Sequence, residues 1–140
     1  MYATNSHVTS QLITGAGWDR TLNWLIETGK NEEDIIYNST SWGNFNLGST
    51  GNVAINSGAS NFDYTTGRSE YWKSNNIYDL AGNSWEWTQE NIGEIGVFRS
   101  GGLAGATVTG DTPAAIRLYA KSIEVILINS FRTQLYINVD

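Results

Sequence analysis

The segment of residues 75–88, Asn-Asn-Ile-Tyr-Asp-Leu-Ala-Gly-Asn-Ser-Trp-Glu-Trp-Thr, constrains the possible fold more than any other part of the chain. It places three large aromatic side chains around a turn at Gly82 and Asn83. Aromatic side chains bury large areas, and an indole N–H needs a hydrogen-bond acceptor once it is buried. We therefore expect this segment to form the centre of a core that the rest of the chain covers.

Composition limits the size and type of the fold. The chain has 140 residues with one proline, and it is 40% hydrophobic and 16% charged, which is typical of a single folded domain spanning residues 1–140. Its 15 glycines, beside many Asn, Ser and Thr residues, indicate turn-rich, irregular structure. A helical bundle is therefore not expected.

Charge and hydropathy exclude several classes of partner. The formal net charge of −6 removes the attraction on which nonspecific nucleic-acid binding depends. No apolar run approaches the roughly 20 residues that a membrane-spanning helix needs, so we expect neither a nucleic-acid partner nor membrane insertion. The chain contains no cysteine, which excludes disulfides and thiolate metal sites.

One helix is predicted from its periodicity. Thr14 can cap the start of this helix, Gly29 can end it, and the apolar residues between them recur at helical spacing: Trp18, Leu22, Leu25 and Ile26. The pattern predicts an amphipathic helix at about residues 15–28, in which Trp18 and Trp24 are core anchors.

Other segments have weaker patterns. Residues 1–10 are predicted to be a frayed end or one strand, and residues 31–34 an acidic turn. Residues 89–96 are predicted to form a turn that leads into the segment 97–102. Residues 44–67 are rich in Gly, Asn and Ser, so they are expected to form long ordered loops. Trp42 and Phe62 would pin these loops.

Short motifs follow one another in an order that resembles the formylglycine-generating-enzyme (sulfatase-modifying factor) family, a branch of the C-type-lectin fold. The motifs are Trp-Asp (18–19), Ser-Trp-Gly-Asn (41–44), the segment 75–88, Phe-Arg (98–99), Pro-Ala-Ala-Ile-Arg (113–117), and the closing strand with Phe-Arg (131–132) and Leu-Tyr-Ile (135–137). The resemblance covers about residues 12–137. It implies an α+β C-type-lectin fold with small antiparallel sheets, one or two helices and long ordered loops. It also allows the chain to be the C-terminal part of a longer protein, with the first strand and helix upstream of Gln11.

The central segment carries a possible set of oxygen ligands. The carboxylates of Asp79 and Glu86 and the carbonyls of Gly82 and Ser84 could converge on a hard cation, since calcium takes six to eight oxygen ligands. The resemblance implies a structural calcium site at these four positions. The alternative is that Asp79 caps a turn and Glu86 accepts hydrogen bonds without a metal.

Catalysis is not expected. The family that the chain resembles oxidises a substrate cysteine with a pair of copper-binding cysteines. The equivalent interval here, residues 103–110, contains none. The single histidine, His7, has no partner pattern, and no serine stands in a nucleophile elbow. We therefore predict no catalytic residues and no required cofactor.

Residues 103–128 are predicted to form the binding surface. Their later part holds more apolar residues than one two-faced strand can bury, so some must be exposed. The chain is here similar to the variable proteins of diversity-generating retroelements, which display ligand-binding residues on this part of the same fold. The predicted ligand-binding residues are Leu103, Ala104, Ala106, Thr107, Val108, Ile116, Leu118, Tyr119, Ala120, Ile123, Val125, Ile126 and Leu127.

These observations predict a non-enzymatic display domain that recognises a protein or glycan ligand on a host or cell surface. Its setting would be a phage virion or a cell surface. Two alternatives stay open. One is a structural phage tail or capsid domain whose apolar surface is a subunit interface, and the other is a cysteine-free divergent relative of the sulfatase-modifying enzymes.

Overall fold

The computed structural model describes residues 8–45, 65–100, 113–121 and 129–137, and within these ranges it shows a mixed α+β fold of two α-helices and small sheets. The elements are β1 (Val8–Leu12), α1 (Gly15–Glu27), α2 (Glu32–Ile36), a 3₁₀ turn (Glu70–Trp72), β2 (Lys73–Ser74), β3 (Ile77–Tyr78), β4 (Trp85–Ile92), β5 (Ile95–Arg99), β6 (Leu118–Lys121), β7 (Asn129–Phe131) and β8 (Thr133–Ile137). The α+β class predicted from the sequence is confirmed. Neither helix in these ranges has the length and apolar character needed to cross a membrane.

The strands of the described ranges form three sheets. The largest has the order β6-β5-β4-β7, in which β7 runs parallel to β4 and the other pairs are antiparallel. Strands β1 and β8 pair antiparallel from Val8↔Ile137 to Leu12↔Thr133, and β2 pairs with β3. The predicted closing strand is therefore two strands in different sheets, divided at Arg132.

Helix α1 forms where its periodicity predicts it. The Thr14 hydroxyl accepts a hydrogen bond from the Gly17 N–H at 2.9 Å, which satisfies one of the free donors of the first turn. Gly29 follows the helix with φ +106°, a conformation that favours glycine. Trp18 is fully buried.

The prediction for Trp24 was wrong. Its side chain is 43% exposed, so it is not a core anchor. Trp24 lies six residues after Trp18, which places it about 240° further around a helix of 3.6 residues per turn. The buried positions Leu22 and Leu25 share the face of Trp18 instead.

One predicted turn was also wrong, and another was predicted too long. Residues 31–34 belong largely to α2, where the Glu33 N–H donates to the Asn31 side chain at 3.1 Å and Ile35 is fully buried. Acidic side chains in a first helical turn are stabilised by the helix dipole, so an acidic run here begins a helix. Residues 89–96 are mostly strand, because β4 and β5 meet at a tight turn that carries Gly93 with φ +64°.

The core lies between the two helices and the central segment. Its buried members are Ile13, Trp18, Leu22, Leu25, Ile35, Trp42, Phe45, Leu80, Ala81 and Ala114. The central segment therefore reaches this cluster through Leu80 and Ala81, while Tyr78 and Trp87 are half-buried. Trp42 is buried as predicted, and Phe62 lies outside the described residues.

Candidate functional site

The turn in the central segment is fixed against Asn44. The Asn44 carbonyl accepts a hydrogen bond from the Asn83 N–H at 2.7 Å, and its side-chain amide donates to Asn83 Oδ1 at 2.8 Å. Gly82 has φ +73°, and a Cβ at this position would lie 2.3 Å from the Asn44 carbonyl oxygen. Glycine is therefore required here for both its conformation and its size.

Glu86 is bound by Arg132. The Nε and Nη2 atoms of Arg132 donate to the two carboxylate oxygens of Glu86, each at 2.5 Å. Nη2 also donates to the Asp79 carbonyl at 3.1 Å and to the Tyr78 carbonyl at 3.3 Å. One guanidinium thus joins the β7–β8 junction, β4 and the central turn in a bidentate pair, the geometry that suits arginine best.

Burial dominates the electrostatics of this cluster. The pKa of Glu86 is raised by desolvation, and the hydrogen bonds and charge of Arg132 act against that rise. The pKa of Asp79 is also raised by burial, while the Gly67 N–H and Arg132 lower it. Asp79 Oδ2 accepts from the Gly67 N–H at 3.1 Å, and Oδ1 is buried without a partner in the described ranges.

The four predicted calcium ligands do not form an open donor set in this arrangement. Both oxygens of Glu86 bind Arg132, and the Gly82 carbonyl already accepts from the Ser84 N–H at 2.9 Å and the Ser100 hydroxyl at 3.0 Å. Across the residues that the structure places, no three His, Asp or Glu side chains cluster as metal ligands do. The cation beside Glu86 is a guanidinium, and this ion pair favours the alternative in which Glu86 accepts hydrogen bonds without a metal.

We expect calcium to leave the protein unchanged. In a calorimetric titration calcium should give no saturable heat, and the melting temperature should be the same with calcium and with EDTA. The contrary result would be unmistakable, because a ligand present at a hundred times its Kd stabilises a fold by about 2.7 kcal/mol. A calcium-dependent rise of that size in the free energy of unfolding would support the calcium site, and Arg132 would then have to move away from Glu86.

A second charged cluster holds the strand that begins at Leu118. Arg117 Nη2 lies 2.9 Å from Glu90 Oε1 and 3.2 Å from Asp19 Oδ2. The fully buried Arg99 bonds to Asp19, and its Nη1 lies 3.6 Å from Glu90 Oε2. Two guanidiniums therefore share two carboxylates, and the cluster connects α1, β4, β5 and the segment before β6.

Two residues of the predicted binding segment, Leu118 and Tyr119, are exposed in β6. Leu118 is 45% and Tyr119 is 52% exposed, whereas their partners on β5, Phe98 and Val97, are buried. Ile116 is half-buried. A depression of about 380 Å³ beside Tyr119 is lined by Gln89, Glu90, Asn91, Ile92, Val97, Arg117 and Tyr119. Its chemistry combines an aromatic ring with amide and charged groups.

Most of the predicted ligand-binding residues lie outside the described ranges. Ala120 belongs to β6, where it pairs with Gly96. The other predicted ligand-binding residues lie outside the described ranges: Leu103, Ala104, Ala106, Thr107, Val108, Ile123, Val125, Ile126 and Leu127. His7 lies outside them as well. Of the predicted ligand-binding residues that the structure describes, Leu118, Tyr119 and Ala120 lie in β6, and Ile116 lies just before it.

Sequence reasoning missed the roles of two arginines. Arg99 and Arg132 each follow a phenylalanine in a strand, and each pairs with a carboxylate distant in the chain. Glu86 does indicate that a cation lies nearby, because it stands between two tryptophans and needs a counter-charge once buried. The sequence does not reveal which cation supplies it.

Comparisons with protein-family models, with curated proteins and with solved structures found no match. The resemblance noted above therefore depends on the motifs and their order.

Proposed function

We propose that the protein is a non-enzymatic ligand-binding domain of the C-type-lectin type whose binding surface includes β6. The observation that carries this proposal is the exposure of Leu118 and Tyr119, which are neighbours in one strand. Neighbouring strand residues point to opposite faces, so an ordinary core strand would bury one of the two. Both are exposed, so β6 is not an ordinary core strand, and its position at the edge of the sheet leaves both side chains able to contact a partner.

The surroundings of β6 support this role. The strand is an edge strand of the largest sheet, and the charged cluster at Arg117 fixes its start to α1 and β4. Binding residues are commonly carried on segments that a rigid scaffold positions. The depression beside Tyr119 offers both stacking and hydrogen bonding, which suits a protein or glycan ligand on a host or cell surface.

We further propose that the domain is a variable protein of a diversity-generating retroelement. The motifs of the framework are kept while the intervals between them, residues 103–112 and 118–128, follow no pattern of their own. The encoding DNA tests this directly. A near-duplicate of the segment for residues 99–132, differing only at adenines and lying beside a reverse transcriptase gene, would support the proposal, and its absence would count against it.

Serine at both Leu118 and Tyr119 tests the exposed surface. The double variant should lose about 1 kcal/mol or less of unfolding free energy, since surface substitutions have small effects. It should also lose at least about tenfold in affinity for any ligand, because interface tyrosines are frequent hot spots. Urea denaturation measures the first effect, and a binding titration the second.

The matched control is serine at Val97 and Phe98, the buried partners of Tyr119 and Leu118. That control should lose several times more stability, because each substitution leaves a core cavity. If the Leu118 and Tyr119 variant unfolds as readily as the control, both residues belong to the core and the proposed surface is wrong.

A structural domain with an apolar subunit interface is the second candidate. It is favoured by the outer side of the β1–β8 sheet, where Leu135 is 65% and Ile137 is 77% exposed. Size-exclusion chromatography with light scattering separates the two candidates. An obligate oligomer that dissociates when Leu135 and Ile137 are replaced by serine would support the structural domain, and a monomer would count against it.

A further inference from the structure

The segment 113–117, here called the anchor segment, lies directly before β6 and is tied to both helices. The Ala114 N–H donates to the Ser39 hydroxyl at 2.7 Å, and the Ala114 carbonyl accepts from the Trp18 indole at 3.0 Å. The Ala115 N–H donates to the Ile35 carbonyl at 3.2 Å. These bonds fix the beginning of the anchor segment, and Arg117 is its last residue before the strand.

The two arginines of the charged cluster differ in burial. The side chain of Arg99 is 2% exposed, whereas that of Arg117 is 38% exposed. A buried charge without a partner is strongly unfavourable, but a partly exposed guanidinium can be solvated by water. When a carboxylate of the cluster is lost, the remaining one must therefore stay with Arg99, and Arg117 is the cation that is released.

Within the part of the chain that the structure describes, strand β6 has few other restraints. It is the edge strand of its sheet, with β5 as its partner from Ile95↔Lys121 to Phe98↔Leu118. Its side chains Leu118 and Tyr119 are exposed, so they add little packing to hold it. The ion pairs of Arg117 then have a large share in fixing where the strand lies.

We propose that Arg117 is a positioning residue for the binding surface, and that Asp19 and Glu90 act on β6 through it. Arg117 also lines the depression beside Tyr119, so its release would alter the shape of that depression as well as the strand. This inference rests on the proposed function, because the proposed function places the binding surface on β6. What it predicts is how firmly β6 is held in the protein without any ligand.

Amide hydrogen exchange of the whole chain tests the proposal. In Arg117→Met the amides of β6 should exchange about fivefold faster, as expected from the loss of about one partly exposed ion pair. The amides of β4 and β5 should keep their rates. Glu90→Gln should have the same local effect, since it releases Arg117, and Arg117→Lys should restore protection because one ammonium can replace Nη2 between the two carboxylates.

Arg20→Met is the matched control, since Arg20 is an exposed arginine on the same helix as Asp19. It should leave β6 unchanged. Unchanged β6 exchange in Arg117→Met would overturn the proposal, as would an equal rise across β4 and β5 or a failure of lysine to restore protection. If β6 loosens while serine at Leu118 and Tyr119 leaves ligand affinity intact, the positioning role stands and the proposed function fails.

Discussion

Replacing Arg132 with methionine should lower the free energy of unfolding by about 3–5 kcal/mol, the usual cost of removing one partner of a buried ion pair. Glu86 is 5% exposed, and its buried carboxylate would lose the two hydrogen bonds from Arg132. The carbonyls of Tyr78 and Asp79 would also lose their donor. Since a domain of this kind has about 5–15 kcal/mol of stability in all, urea denaturation should show a large fall in the midpoint.

The loss should depend on pH in a defined direction. Burial raises the pKa of Glu86 above its ordinary value of 4.5, and Arg132 opposes that rise. A carboxyl whose pKa is higher in the folded state makes folding less favourable as pH rises between its unfolded and folded values. Without Arg132 the pKa of Glu86 in the folded state rises further. The pH range in which this carboxyl destabilises the fold therefore still begins near 4.5 but extends to higher pH. The free energy of unfolding of Arg132→Met should therefore be lowest, relative to that of the unmodified protein, near neutral pH. The two values should become similar below pH 4.5.

Two controls identify the ion pair as the cause. Arg117→Met removes an arginine that is partly exposed, and it should cost only about 1 kcal/mol or less. Adding Glu86→Gln to Arg132→Met should recover much of the loss, because no buried charge is then left. A double variant that stays as unstable as Arg132→Met at every pH would show that packing of Arg132, and not its charge, holds the central turn.

Local patterns explain what the sequence predicted correctly. Helix α1 has its cap, its apolar spacing and its terminal glycine within 16 residues, from Thr14 to Gly29, so every signal is near in the chain. The surplus of apolar residues in 103–128 likewise indicated that some of them are exposed, but it did not identify which ones. Such arguments need no knowledge of distant partners.

The interactions that the sequence did not predict join residues far apart in the chain. Glu86 and Arg132 are 46 positions apart, and Arg99 and Asp19 are 80 apart, so their pairing depends on how strands from separate parts of the chain meet. The sequence showed that a buried carboxylate needs a cation, but it did not distinguish calcium from arginine. Trp24 is exposed for a simpler and local reason, because it lies about 240° from Trp18 around α1.

Trp18→Ala is expected to have the second large effect. The side chain is fully buried, its indole N–H donates to the Ala114 carbonyl at 3.0 Å, and the two guanidiniums of Arg99 and Arg132 lie 5.7 and 5.6 Å from its ring centroid. Truncating a core tryptophan costs about 3–5 kcal/mol from the lost contacts and the cavity. The measurement is again the unfolding free energy in urea.

The matched control is Trp24→Ala on the same helix, where the ring is 43% exposed and the loss should be about 1 kcal/mol or less. Trp18→Phe should lie between the two, since it keeps an aromatic ring but removes the donor to Ala114. Because the ring of Trp18 lies beside Arg132, Trp18→Ala and Arg132→Met should not be additive, with a coupling of about 0.5–3 kcal/mol in a double-mutant cycle. Strict additivity would mean that Trp18 and the Glu86–Arg132 pair stabilise the fold independently, contrary to the arrangement described above.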